Sequence, residues 1–152
     1  MGEIKNCLLP DDLSYHVEYN VWLRDNEDGT LDLGMTDIAQ SMAGAMLHCR
    51  AKKVGKSVKQ GKSLATVESG KWVGPVKSPF ACEIVAMNEE VAADATILNR
   101  SPYKQGWIVR IKVAEGADTT GLVRGDAAIE GFTAYMAEHE LEACIHCEGF
   151  DG

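Results

Sequence analysis

The sequence has little of what membrane proteins and nucleic-acid-binding proteins need. Its apolar runs all fall short of the ~20 residues that a membrane-spanning helix requires. Positive charge is scarce, because 15 lysines and arginines stand against 23 aspartates and glutamates, a net charge of −8. Nucleic acids and anionic membranes are bound largely through Lys and Arg. The composition therefore predicts neither a nucleic-acid partner nor a membrane partner.

An apolar leader is also lacking. Residues 1–10 contain Glu3, Lys5 and Asn6 and no apolar core of the length found in signal peptides. We therefore expect a cytoplasmic protein. The cysteines are odd in number, which in a reducing compartment predicts free thiols rather than a disulfide framework; they are Cys7, Cys49, Cys82, Cys144 and Cys147.

No pattern of residues indicates an enzyme. The sequence offers no Ser/His/Asp arrangement and no close pair of carboxylates for acid–base work. A zinc site needs four ligands, and no spacing here fixes such a set. We therefore expect neither a catalytic residue nor a metal site.

The chain organisation predicts one mainly-β domain over residues 1–152. A chain of this length can bury a sizeable core without a metal or a covalent staple. Residues 15–24 and 30–35 alternate as strands do, and the Asp28-Gly29 pair between them is typical of a hairpin turn. Thr36 is a candidate cap for a short helix that begins after it. Many short, glycine-punctuated strands over residues 46–112 indicate a sandwich or barrel.

The C-terminal part of the chain has a helical pattern. Ile129, Phe132 and Met136 recur three and four residues apart, and Asp126 is a candidate N-cap. The spacing predicts a helix from residue 126 to about residue 143. Residues 144–152 are expected to form a mobile tail.

One exposed lysine stands out in the middle of the chain. An apolar strand leads into the corner Glu68-Ser69-Gly70-Lys71-Trp72, and a second strand leaves it. A lysine at the tip of such a hairpin projects its amine away from the body, where another protein can reach it. On spacing alone this is an ordinary turn lysine.

The surroundings of Lys71 resemble the lipoylation site of the glycine cleavage H-protein family. The Glu-Ser-x-Lys corner matches, and so do blocks at residues 29–40, 78–79, 83–88 and 98–107, over roughly residues 13–137. The resemblance implies a barrel-sandwich hybrid of two antiparallel sheets, with a short helix and a C-terminal helix. It also implies lipoate held as an amide on Lys71 and attached by a lipoate ligase or assembly pathway. The chain would then be a carrier with a swinging arm. The neighbours Gly70 and Trp72 differ from the methionines that usually flank a biotinylated lysine.

Several positions depart from the family pattern. The family has His-Glu-Trp near its first strand, whereas this chain has Asn20, Val21 and Trp22. The missing glutamate helps the family hold the cationic aminomethyl group. These departures, together with Cys49 and Cys82, resemble the lipoate-binding proteins of cytoplasmic sulfur oxidation. That resemblance implies sulfur cargo and a heterodisulfide-reductase-like complex as partner. The alternative is a glycine cleavage carrier that serves the glycine decarboxylase proteins.

A C-x-x-C pair lies near the C-terminus. Cys144 and Cys147 have the spacing of a dithiol that could pass electrons or sulfur to the arm. No βαβ pattern precedes the pair, so it is not a thioredoxin motif. Solvated, inert thiols are the favoured interpretation of the pair, and Cys49 and Cys82 are expected to fill the core.

Overall fold

The computed structural model describes residues 2–152. Over these residues the chain forms eleven short strands and four helices. The strands are β1 (Gly2–Ile4), β2 (Cys7–Leu9), β3 (Ser14–His16), β4 (Val21–Asp25), β5 (Leu31–Met35), β6 (Met46–Ala51), β7 (Ser57–Val58), β8 (Ser63–Ser69), β9 (Val73–Lys77), β10 (Cys82–Met87) and β11 (Trp107–Val113). The helices are α1 (Asp37–Ala43), α2 (Glu89–Ala93), α3 (Ile97–Arg100) and α4 (Gly125–Glu138).

The strands form two main antiparallel sheets. One has six strands in the order β3-β4-β5-β11-β10-β7, and the other has three in the order β6-β8-β9. A small sheet of β1 and β2 is added at the N-terminus. The predicted mainly-β hybrid, with a short helix and a C-terminal helix, is confirmed.

The alternating N-terminal segments pair as a hairpin, with one interruption. β4 pairs with β5 around the predicted turn, where Gly29 has a φ of 90°. The single strand predicted over residues 15–24 is wrong, because the chain reverses between β3 and β4, and the two pair with each other. Asn20 makes the reversal at a φ of 59°, a conformation that Asn adopts more readily than most residues.

The sequence correctly predicts the cap of the short helix, but it does not predict the bounds of the C-terminal helix. Thr36 caps α1, its hydroxyl oxygen accepting a hydrogen bond from the Ala39 amide at 3.0 Å. In contrast, α4 begins one residue before Asp126, and its N-cap is Arg124. It ends at Glu138 rather than near residue 143. Glu140 has a φ of 56°, which is not helical backbone.

Two apolar clusters fill the molecule. The larger lies between the two main sheets and contains Leu33, Leu64, Ile84 and Ile111 among others. The smaller packs α4, through Phe132, against the N-terminal strands and Trp22. The six-stranded sheet therefore has an apolar cluster on each face, which explains why β4 is buried at three consecutive positions.

The C-terminal segment, residues 144–152, is not the free tail that the sequence predicts. Cys144 forms a disulfide with Cys7, and its amide donates to the Lys5 carbonyl at 3.1 Å. The expectation that all the cysteines are free thiols is therefore wrong for this pair. The two cysteines are 137 residues apart in sequence, so no local spacing could indicate their pairing. The apolar packing of α4 brings the two chain ends together.

None of the helices within residues 2–152 has the length and apolar character needed to cross a bilayer.

The substitution Gly34→Ala tests the packing around Trp22. The indole is fully buried, and its Nε1–H donates to the Pro102 carbonyl at 2.9 Å. A Cβ at Gly34 would lie 2.7 Å from the indole ring. Because the hydrogen bond fixes the ring, we expect Gly34→Ala to lower the free energy of unfolding by about 1–3 kcal/mol, measured by urea denaturation.

Gly121→Ala is the matched control for this substitution. Its Cβ would lie 3.8 Å from the nearest atom, which belongs to His16. It should change stability by no more than about 0.5 kcal/mol. Equal stabilities of the two variants would contradict the placement of Trp22.

Candidate functional site

The candidate site is the tip of the β8–β9 hairpin. Glu68 pairs with Val73 across the hairpin, and the Ser69 amide donates to the Trp72 carbonyl at 2.7 Å. The hydroxyl of Ser69, a buried residue, accepts from the Lys71 amide at 3.3 Å. These bonds close a four-residue turn with Gly70 and Lys71 at its centre. Ser69 therefore fixes the backbone that presents Lys71.

The Lys71 side chain lies over the end of α1. Gly44 ends this helix with a φ of 83°, and a Cβ there would lie 3.1 Å from Cε of Lys71. Only glycine combines that backbone angle with so close an approach. The carbonyl end of a helix also favours a nearby cation. This contact could not be predicted from the sequence, because Gly44 and Lys71 are on different elements.

Lys71 fits a residue that carries an acyl arm. It is exposed, as expected for the tip of the hairpin, and within residues 2–152 it has no ion pair that would have to be broken. Glu68, which precedes the turn, is also exposed, so another protein can contact its side chain. Acylation would therefore remove the charge of an amine that makes no ion pair within residues 2–152.

Two cavities flank the turn. The lysine cavity, of about 390 Å³, has Lys71, Gly44, Arg100, Ile145 and Cys147 in its lining. The tryptophan cavity, of about 240 Å³, lies on the other side of the turn and is lined mainly by apolar groups, with Trp72 at its edge. Lys71 lines the first of these cavities, and its neighbour Trp72 lines the second.

Among the described residues, 2–152, no charged side chain lines the tryptophan cavity. Its polar groups are Tyr19, Asn20 and Tyr135. Burial raises the pKa of Tyr135, and a hydrogen bond with Asn20 offsets part of that effect, so the phenol is neutral. Glu138 also acts on Tyr135 electrostatically, but it is exposed and does not line the cavity. Val21 also lines this cavity, at the position where the family resemblance implies a glutamate.

A buried carboxylate holds the C-terminal segment near the lysine cavity. Asp37 is fully buried, and its Oδ1 accepts a hydrogen bond from Nε2 of the Gln40 side chain at 2.8 Å. Its Oδ2 accepts from the Leu8 amide at 2.9 Å and lies 2.7 Å from Nε2 of His146. One carboxylate therefore ties three segments together: the N-terminal hairpin, α1 and residues 144–152.

The same polar network extends to Gly44, whose backbone lies beneath the Lys71 side chain. The Asn99 side-chain amide donates to Gln40 Oε1 at 3.0 Å and to the Gly44 carbonyl at 2.8 Å. Its oxygen accepts from the Met46 amide at 2.8 Å. All polar atoms of this Asn99 side chain are thus satisfied, and the backbone under the lysine is fixed.

The cysteines fall into three kinds. Cys7 and Cys144 are bonded to each other, so Cys144 has no thiol to pair with Cys147 as the C-x-x-C hypothesis requires. Cys49 and Cys82 are buried in the main core, as expected. Cys147 is exposed and free. Within residues 2–152 no cluster of His, Cys, Asp and Glu is arranged to hold a metal ion.

Comparison with known proteins identifies the family. The family model of the glycine cleavage H-protein matches residues 13–134. The chain belongs to the glycine cleavage H-protein family. "Glycine cleavage system H protein 3" of Aquifex aeolicus is 44% identical over 149 residues, covering 95% of this chain and 92% of the relative. "Glycine cleavage system H protein" of Burkholderia ambifaria is 41% identical over 119 residues, covering 78% of this chain and 93% of the relative.

A solved structure agrees with this assignment. The crystal structure of a glycine cleavage system H protein from Mycobacterium marinum has a TM-score of 0.67 and 25% identity. The match covers 88% of this chain and all of that chain. H-family proteins are carriers with covalently attached lipoate, and their partners belong to the glycine decarboxylase system. Membership of this family is consistent with a carrier protein rather than an enzyme.

Thiol reactivity tests the arrangement of the cysteines. Burial raises the pKa of Cys49 to about 12 and also raises that of Cys82. At about pH 8, roughly one Cys49 thiol in 10,000 would be ionised. Since the thiolate is the nucleophile, iodoacetamide should label Cys147 in the native protein and leave Cys49 and Cys82 unlabelled. Peptide mass spectrometry measures the labelling at each residue.

Unfolding without a reductant provides the control. Cys49 and Cys82 should then become labelled, whereas Cys7 and Cys144 should react only after reduction. Labelling of Cys144 in the unreduced, unfolded protein would contradict the disulfide.

Proposed function

We propose that Lys71 carries lipoate as an amide on Nζ and that the chain is a carrier for a multienzyme system. The observation that carries this proposal is the position of Lys71, at the exposed tip of a rigid turn in a chain of the H-protein family. When attached, lipoate supplies a disulfide that can be reduced and can take up a group. A lipoate ligase or a lipoate assembly pathway attaches it.

Residues around the lysine have separate tasks in this proposal. Ser69 holds the turn through its backbone and hydroxyl bonds. Gly70 adds no side chain that could hinder the attaching enzyme, and Glu68 is exposed for that enzyme to read. Trp72 packs back along the strand, where a Cβ on Gly74 would lie 2.3 Å from its indole. The tryptophan therefore leaves the space above Lys71 open.

The first candidate cargo is the aminomethyl group of glycine. The names of the relatives connect those proteins with the glycine cleavage system. In this function the partners are the glycine decarboxylase proteins, and we propose that the carrier works with them in the cytoplasm.

A sulfur intermediate is the second candidate cargo, and one observation favours it. The tryptophan cavity holds no carboxylate to pair with a cationic aminomethyl group, because Val21 replaces the family's glutamate and the remaining polar lining is neutral. Burying a cation without a partner is costly. Several H-type relatives also occur in one organism, Aquifex aeolicus, under the numbers 2, 3 and 5. Because one organism has several H proteins, one of them can serve a different complex, and we propose a heterodisulfide-reductase-like complex for this chain.

Lys71→Arg tests the attachment site. Arginine keeps the charge but offers no amine that the ligase can acylate, so we expect the lipoyl mass increment to vanish completely. Intact mass spectrometry after incubation with a lipoate–protein ligase measures it. Lys62→Arg, at the residue that precedes β8, is the matched control and should be lipoylated like the wild type. A lipoyl increment that persists in Lys71→Arg would disprove the assignment.

Val21→Glu tests the cargo. A carboxylate at this buried position would give a cationic aminomethyl group its missing partner. Val21→Gln is the control, with the same size and no charge. We expect glycine decarboxylase proteins to load the lipoylated Val21→Glu protein about 10-fold better than Val21→Gln, a difference of about 1.4 kcal/mol. Transfer of isotope from labelled glycine to the protein measures the loading.

The wild-type protein in the same assay distinguishes the two cargoes. Efficient loading of the wild type supports the glycine cleavage function and removes the sulfur candidate. No loading of a fully lipoylated wild type, with gain in Val21→Glu, supports the sulfur candidate.

A further inference from the structure

Residues 144–152 form a fixed strap beside Lys71. Their first part is anchored by the Cys7–Cys144 disulfide and by the Ile145 amide, which donates to the Ser41 hydroxyl at 3.0 Å. The Ile145 carbonyl accepts from Gln40 at 3.0 Å. His146 follows at 2.7 Å from Asp37. These contacts fix the three residues that precede Cys147.

The strap is also anchored after Cys147. The Phe150 ring stacks on His146 with a centroid distance of 3.7 Å. The Asp151 amide donates to the Arg100 carbonyl at 2.6 Å, and its carboxylate pairs with Lys104 at the same distance. Cys147 therefore lies between two anchored ends, and its position in the fold is determined.

The strap builds one wall of the lysine cavity. Ile145, Cys147 and Glu148 line it from the strap, and Lys71 lines it from the hairpin. Cys147 is exposed, whereas the other two free cysteines are buried. Of the free thiols in residues 2–152, Cys147 alone faces the space into which a group on Lys71 would extend. The lipoyl group proposed for Lys71 contains a disulfide, and a disulfide reacts with thiols by exchange.

We propose that Cys147 is a second functional residue of the carrier, which captures the arm on Lys71 by thiol–disulfide exchange. This inference rests on the proposed lipoylation of Lys71. The Cys147 thiolate, having lost its proton to solvent, attacks one sulfur of the arm's disulfide. The bond between the two arm sulfurs breaks, and a bond forms between that sulfur and Sγ of Cys147. The second arm sulfur leaves as a thiolate and takes a proton. One disulfide is exchanged for another, so no external oxidant or reductant is consumed.

The shared cavity favours this exchange over reaction with another molecule. A short flexible tether gives an effective concentration of the order of mM. At about 10 µM protein, exchange within one chain should therefore be about 100-fold faster than exchange between chains. The Cys7–Cys144 bond does not compete, because both residues are buried. It keeps the strap in place while Cys147 reacts.

The experiment maps disulfides in the lipoylated, oxidised protein. After quenching in acid and digestion without reductant, we expect the Lys71 peptide to be linked to the Cys147 peptide. The fraction linked should not change when the protein is diluted 10-fold, since the reaction is intramolecular. In addition, iodoacetamide should label the arm, because exchange leaves a free thiol there.

Two variants supply the controls. Cys147→Ser should abolish the link and leave the arm unlabelled, while intact mass still shows full lipoylation. Cys147→Ser combined with Thr119→Cys carries an exposed thiol outside the lysine cavity. It should give at least about 10-fold less link than the wild type if placement in the cavity matters.

Every outcome of this experiment decides something. A fully lipoylated wild type without the Lys71–Cys147 link overturns the inference and leaves the proposed function intact. Equal linking by Thr119→Cys also overturns it, because the cavity would then have no role. A chain that takes no lipoate at Lys71 overturns the proposed function first, and the intact mass shows this before any exchange is measured.

Discussion

The carboxylate of Asp37 is the interaction on which the functional end of the molecule depends. A fully buried charge must be paired or hydrogen-bonded, because its desolvation is otherwise too costly. Here the donors come from Leu8, Gln40 and His146, which belong to three separate segments. Leaving a buried polar group without a hydrogen-bond partner costs about 1–3 kcal/mol. The carboxylate therefore makes the positions of α1 and of the strap mutually dependent.

The hairpin tip separates two different environments. On one side is an apolar cavity with neutral tyrosines and an asparagine, and on the other a more polar cavity that contains a thiol. For the lipoyl arm proposed on Lys71, the absence of charge on the first side concerns the cargo, and the thiol on the second side offers a partner for disulfide exchange.

The sequence predicted the local features and the family well. Alternation, the Asp-Gly turn and the Thr36 cap each depend on residues close together in sequence, and the corner around Lys71 carries its own motif. The break at Asn20 was missed, since the residues on both sides of it alternate like one strand. The end of the C-terminal helix was also missed, because helical periodicity alone does not show where a backbone turns.

The contacts that the sequence could not predict connect distant segments. Gly44 beneath Lys71, Cys7 bonded to Cys144, and Cys147 in the lysine cavity are all consequences of tertiary packing. The C-x-x-C spacing even suggested the wrong partner for Cys144. A sequence with an odd number of cysteines gives no reason to pair the first with the fourth.

The Cys7–Cys144 bond joins the two ends of the chain and closes most of the backbone into a covalent ring. Residues 114–121 form an exposed segment within that ring. A protease that cuts there opens the circle but releases no fragment, so the nicked molecule keeps its original mass, apart from one added water, until a reductant separates the halves. The carrier thereby tolerates backbone damage that would divide an uncrosslinked chain.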